Sequence, residues 1–260
     1  MNFLATALPD NPIAALEQAG ALLPASDGSI GSTINVLLLL TVLALVPSIL
    51  VLCTCFTRFV VVLAVLRQAL GSPSLPPTQI LVGLSLLLSV VVMAPTLERM
   101  YDDGIKPMID GEITNSEEAW KKTKKPIREF MFAQIEAADN WSTVYMMLDY
   151  RGVDTSDPRR LTMDDVDTLS LIPAYVLSEL KTAFLIGFRI YLPLLVIDLL
   201  VSGLLVSMGM LMLPPVLVSL PFKILLFVLV DGWELVVGNL LQSVAAPEGV
   251  AMLMTSGGFV

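Results

Sequence analysis

Histidine is absent from the 260 residues, which removes the side chain that most often binds metals and moves protons near neutral pH. Charge is scarce as well: Asp, Glu, Lys and Arg make up 15% of the chain, against about a quarter in an ordinary soluble domain. Cysteine is limited to Cys53 and Cys55. Two positions apart on a helix they point to different faces, so they cannot pair with each other and are expected as small core residues. The first 33 residues carry Asp10, Glu17 and Asp27 but no Lys or Arg, so they lack the basic start of a secretory signal peptide. No glycine-rich phosphate loop and no set of nucleophile and base stand out. An enzyme is therefore not expected, and neither is a cofactor or a metal. A long run of alternating β-branched residues is missing too, which leaves an all-α fold.

What the chain does have is apolar surface. Hydrophobic residues make up 55% and the mean hydropathy is +0.80, values of an integral membrane protein or a subunit of an apolar assembly. The net charge of -9 provides no basic face, so nucleic acid is not expected as a partner. Four apolar spans follow one another. The first runs uncharged from Ile34 to Cys55 and continues through Arg58 to Arg67, long enough to cross a bilayer. Gly71, Pro73, Pro76 and Pro77 turn the chain into the second span, Thr78 to Leu97, where Ser85 and Ser89 make a small-residue packing face. The third runs from Ala174, just past Pro173, to Val206, and the fourth from Val216 to about Leu241.

These spans divide the chain into a leader over 1–33, a first helical hairpin over 34–97, a polar helical domain over 98–173, a second hairpin over 174–243 and a tail over 244–260. From Glu98 to Thr182 lie 11 of the 15 Lys/Arg and 17 of the 24 Asp/Glu, which makes this the water-exposed region. Thr114 with Glu117 and Thr162 with Asp165 are spaced as capping boxes. Pro126 is placed to open a second helix, and Ile127, Phe130, Met131 and Ile135 share one face of it. Arg67, beside the short turn, favours a cytoplasmic turn and so a periplasmic polar domain.

Charges within the apolar spans fall almost symmetrically about Met210. Asp198 lies twelve residues before it and Lys223 thirteen after; Arg189 and Asp231 lie twenty-one to either side. A chain that folds back there brings Asp198 and Lys223 to one depth, where they are expected to pair within or between chains. The nine residues between Arg189 and Asp198 turn a helix by roughly 900°, so the two point to opposite faces. Arg189 then looks toward another helix or another subunit. Arg58 has no charged residue across the first hairpin, where Leu86 would stand. In the segment 208–215, Met208, Met210 and Met212 either fill an irregular core at the turn or meet copies of themselves around an axis and close a pore with a deformable apolar ring. Gly209 lets the backbone turn, and Pro214 with Pro215 stop the helix. One reading of these charges is a small polytopic ion or proton transporter with Asp198 as the titrating carrier.

Four stretches are more specific. Phe56 to Gly71 (FTRFVVVLAVLRQALG), Ile172 to Phe184 (IPAYVLSELKTAF), Met208 to Pro215 (MGMLMLPP) and Leu220 to Trp233 (LPFKILLFVLVDGW), in this order, closely resemble the FliP family of flagellar type III export gate proteins, which has injectisome counterparts. The resemblance covers about Leu37 to Ser243. Cys53 and Cys55 depart from it, and so does the leader without a basic start. The resemblance implies a core subunit of the export gate in the bacterial inner membrane, within the flagellar basal body. It implies a helical, ring-like homo-oligomer of five copies, FliQ and FliR in the same core complex, and FlhB and FlhA in the wider apparatus. Unfolded flagellar proteins would pass through the pore, with energy supplied by the export ATPase and by FlhA. It further implies that Met208, Gly209, Met210 and Met212 form the pore gasket, that Asp198 and Lys223 are functionally important charges, and that the apolar spans bury against neighbouring subunits more than against lipid. Arg58, Arg189 and Asp231 complete the set of charges expected to act in assembly or gating.

Overall fold

The computed structural model describes residues 40, 41, 44, 51–72, 75–113, 115–155, 162–210 and 212–244. The leader, much of the stretch 34–50, Pro73, Thr114, Leu211 and the tail beyond Val244 lie outside the described residues. The described residues are helical and contain no strand, as the composition implies. The helices are α1 (Phe56–Leu70), α2 (Thr78–Met100), α3 (Lys106–Ile109), α4 (Ser116–Ala137), α5 (Trp141–Tyr150), α6 (Thr168–Ser207), α7 (Pro215–Leu229) and α8 (Gly232–Gln242). Among the described residues, two stretches are long and apolar enough to cross a membrane, Thr78–Ile109 and Thr168–Ser207, and α7 with α8 make a third if a 66° bend between them is counted within one span.

The contacts group into two compact units. Among the described residues, one holds those up to 51 together with 94–130, the other those of 52–93 and 131–244. In the first, α2 passes into α3 through a π-helical turn, Tyr101–Ile105, where the Lys106 N–H bonds to the Tyr101 carbonyl. Gly104 sits so close to α4 that a Cβ there would lie 2.7 Å from Thr123 Cα, an approach only glycine allows. Arg99 pairs with the buried Glu129. The capping box expected of Thr114 falls on a residue outside the described ones, but the Asn115 side chain accepts the Glu117 N–H at 2.9 Å and does the capping. Pro126 does not open a helix. It lies inside α4, where Glu117–Lys121, Glu118–Lys122 and Lys125–Glu129 pairs four residues apart brace the turns around it.

The second unit is built around α6, the longest helix at 40 residues. Helix α1 packs along it, burying Phe59, Val62, Leu63, Leu66, Ala69 and Leu70. This is a helical stripe, and each large side chain in it contributes roughly 1.5–3 kcal/mol. Gly187 marks the closest crossing, since a Cβ there would stand 3.0 Å from Val65. Ser85 and Ser89 of α2 are buried, and Ser89 donates to Thr54 at 3.1 Å. Cys53 and Cys55 are buried and free. The helix of the first span breaks at Thr54 and Cys55, so it does not run on unbroken into α1.

Three expected boundaries move. Helix α6 begins at Thr168 with Asp167 as N-cap, and Pro173 lies inside it as its sixth residue, where it loses one backbone bond without stopping the helix. The Thr162–Asp165 box forms, but it caps a separate 3₁₀ turn, Met163–Asp165. Both Thr162 groups, hydroxyl and N–H, donate to the Asp165 carboxylate and hold it below the usual carboxylate range. The fourth apolar span is not straight: it breaks at Asp231, whose φ is +51°, and Phe227 and Trp233 meet edge to face across the bend. A Cβ on Gly232 would overlap the Phe227 ring.

Candidate functional site

Helices α6 and α7 form an antiparallel hairpin whose end is built by the backbone. Met208 is the C-cap of α6, and Gly209 follows at φ +74°. The Gly209 N–H bonds to the Val206 carbonyl and the Met210 N–H to that of Leu205, the paired bonds of a Schellman end, which needs a left-handed residue where Gly209 stands. The prolines act on the other arm. Pro214 is the extended N-cap of α7 and Pro215 its first residue, so they start a helix and do not stop one, as suits a residue with fixed φ and no N–H. Between these ends Met208, Met210 and Met212 are exposed, Met212 at 98%. Among the described residues they fill no core, which removes the packing explanation for them.

Further along the hairpin, Lys223 Nζ lies 2.6 Å from Asp198 Oδ2, the pairing expected, and it forms within one chain. Lys223 is 2% exposed and Asp198 24%. Lys223 also donates to the Ala69 carbonyl at the end of α1, at 2.9 Å. The Ser219 hydroxyl, on a wholly buried residue, donates to Asp198 Oδ1 at 2.5 Å. Charge spacing alone does not find Ser219, although it stands one turn before Lys223 on the same face of α7. With one oxygen held by an ammonium and the other by a hydroxyl, the Asp198 carboxylate is fixed in place.

Arg58 does find a partner. Its Nε donates to Glu179 Oε2 at 2.8 Å and its Nη2 to Oε1 at 2.5 Å, with Arg58 1% and Glu179 0% exposed. Gln134 accepts from Nη2 at 3.4 Å, and the Ser243 carbonyl and hydroxyl accept from Nη1. The guanidinium thus joins α1, α4, α6 and the end of α8, using the planar fork that lysine lacks. Sequence reasoning misses Glu179 as a site residue. The available signal is that it is the only acid between Asp167 and Asp198, yet 121 residues separate it from Arg58.

Arg189 and Asp231 are not brought together. Both are exposed, and neither side chain has a hydrogen-bond or ion-pair partner among the described residues. Nine residues from Asp198 turn Arg189 to the face of α6 away from α7, and Asp231 stands at the bend that ends α7.

Residues 39–240 match the family model described as the FliP family. Three similar curated proteins each carry the name flagellar biosynthetic protein FliP. The one from Bacillus subtilis is 46% identical over 83% of this chain and 93% of its own length. That from Caulobacter vibrioides is 45% identical over 79% and 74%, and that from Aquifex aeolicus 42% identical over 85% and 90%.

Proposed function

We propose, since the chain belongs to the FliP family, that it is a membrane-embedded core subunit of the flagellar protein export gate, closing the export path with the tip of the α6–α7 hairpin. The observation that carries this reading is the contrast along that hairpin. Its base is locked by Asp198, Ser219 and Lys223, while its tip presents Met208, Met210 and Met212 with no described residue of this chain covering them.

Copies of the tip set around an axis would bury these thioethers against one another. An unbranched, polarizable side chain repacks easily, so such a ring excludes water and ions when closed and deforms around an unfolded chain. The locked base keeps each tip at a fixed height. In this reading five copies assemble with FliQ and FliR, and FlhB and FlhA complete the apparatus. The membrane is the bacterial inner membrane at the basal body, and Arg67 beside the short turn favours a periplasmic polar segment. No step of covalent chemistry is required of the chain, and energy comes from the partners.

The test is cross-linking at the tip. In cells carrying Met212→Cys, a short thiol cross-linker should join copies of this chain to each other and stop flagellar protein export. Export that continues through fully cross-linked copies would contradict a gate at this position.

A further inference from the structure

Two charges of opposite sign are left unsatisfied on apolar helices at matching depth. Arg189 stands nine residues before Asp198, and Asp231 eight after Lys223. Because the Asp198–Lys223 pair fixes the register of the hairpin at 2.6 Å, helical rise places Arg189 about 14 Å from that pair and Asp231 about 12 Å from it, on the same side. Around Arg189 the surface is apolar, with Leu185, Phe188, Leu192 and Val196 all exposed. A lone guanidinium there is costly unless paired.

The two charges also face different ways. Asp198 points at α7, and nine residues put Arg189 roughly half a turn away from it, on the side of α6 turned from α7. Asp231 sits at the far end of α7, held exposed by its left-handed backbone. Eight residues turn Asp231 roughly 80° around α7 from Lys223, so the two charges lie on different faces of the hairpin, as a head-to-tail contact that repeats into a ring requires.

We infer that Arg189 of one copy pairs with Asp231 of the next copy of this chain, so that the outer face of α6 docks against the α7–α8 bend of its neighbour. The occupant of this apolar flank is a second copy, selected by charge and depth. The inference rests on the gate reading and adds to it the contact that orders the copies.

The experiment uses the full chain co-expressed with its partners and extracted in detergent. Arg189→Asp and Asp231→Arg are each expected to lower the yield of the multimeric particle by about tenfold, as loss of a desolvated interfacial charge pair does. The double variant, with the charges exchanged, is expected to restore most of it. Independently, a chain carrying both Arg189→Cys and Asp231→Cys should oxidise to species of two or more linked chains, and neither single variant should do so; the native Cys53 and Cys55 are buried. A double variant no better than the single ones, or a disulfide formed only within one chain, overturns the pairing. Since neither readout measures export or leak, that failure in an intact multimer is separate from failure of the gate. A wild-type particle of one chain would overturn both.

Discussion

Lys223 and Asp198 share an ion pair at 2.6 Å yet differ in what each would be left with alone. Lys223 is 2% exposed and keeps the Ala69 carbonyl, whereas Asp198, at 24%, keeps the Ser219 hydroxyl in a less buried position. Asp198→Ala therefore strands a buried ammonium and should destabilise the hairpin by about 3–5 kcal/mol, seen as a lower melting temperature of the detergent-solubilised particle. Lys223→Met should do less harm, because it removes the more buried charge. Exchanging the two residues should restore only part of the loss, since a carboxylate in the place of the Lys223 ammonium would face the Ala69 carbonyl. Equal damage from both single variants would contradict this asymmetry.

The fork between Arg58 and Glu179 gives a sharper prediction. Arg58→Lys keeps the charge but cannot supply two parallel donors to Glu179 together with bonds to Gln134 and Ser243. It should lower stability by about 2 kcal/mol or more. Thermal unfolding of the purified variant measures this, and a melting temperature equal to wild type would show that the fork is not needed.

Acid should act on the turn before α6. The Thr162 hydroxyl and N–H lower the affinity of the Asp165 carboxyl for protons. Its contribution to the turn is then present above the pKa of the unfolded chain and lost as pH falls through the lower, folded value. Thr162→Val removes the hydroxyl, so the Asp165 carboxyl should titrate at higher pH than in wild type. Carbon NMR of labelled aspartate reads the change, and an unmoved titration would contradict the capping contact.

Much of this was legible because hydropathy and charge spacing are local signals. The all-helical fold followed from apolar runs without strand alternation, and the Asp198–Lys223 pair from spacing about Met210, since a hairpin between straight arms preserves count. The same helical count explains why Arg189 stays outside the seam, since nine residues turn it to the face opposite Asp198; what it does not show is the bend at Asp231, whose φ of +51° is a backbone state that no hydropathy profile records. Pro126 and Pro173 were misplaced for a related reason. A proline removes one N–H, and flanking ion pairs or a nearby N-cap can carry the helix through it. Glu179 remained hidden because its partner is distant in the chain, and only packing of α1 on α6 brings them together.

Closure of the gate depends on the exposed methionines at the tip. Met208, Met210 and Met212 stand on a Schellman end built by Gly209, whose left-handed φ no side chain adopts cheaply. Replacing all three methionines with Ala leaves the backbone and the Asp198–Lys223 lock in place, so assembly should survive. The most direct test is therefore the ion conductance of membranes containing the assembled complex with Met208→Ala, Met210→Ala and Met212→Ala together. A standing leak absent from wild type is expected in particles of unchanged mass, and conductance indistinguishable from wild type would rule out a methionine seal.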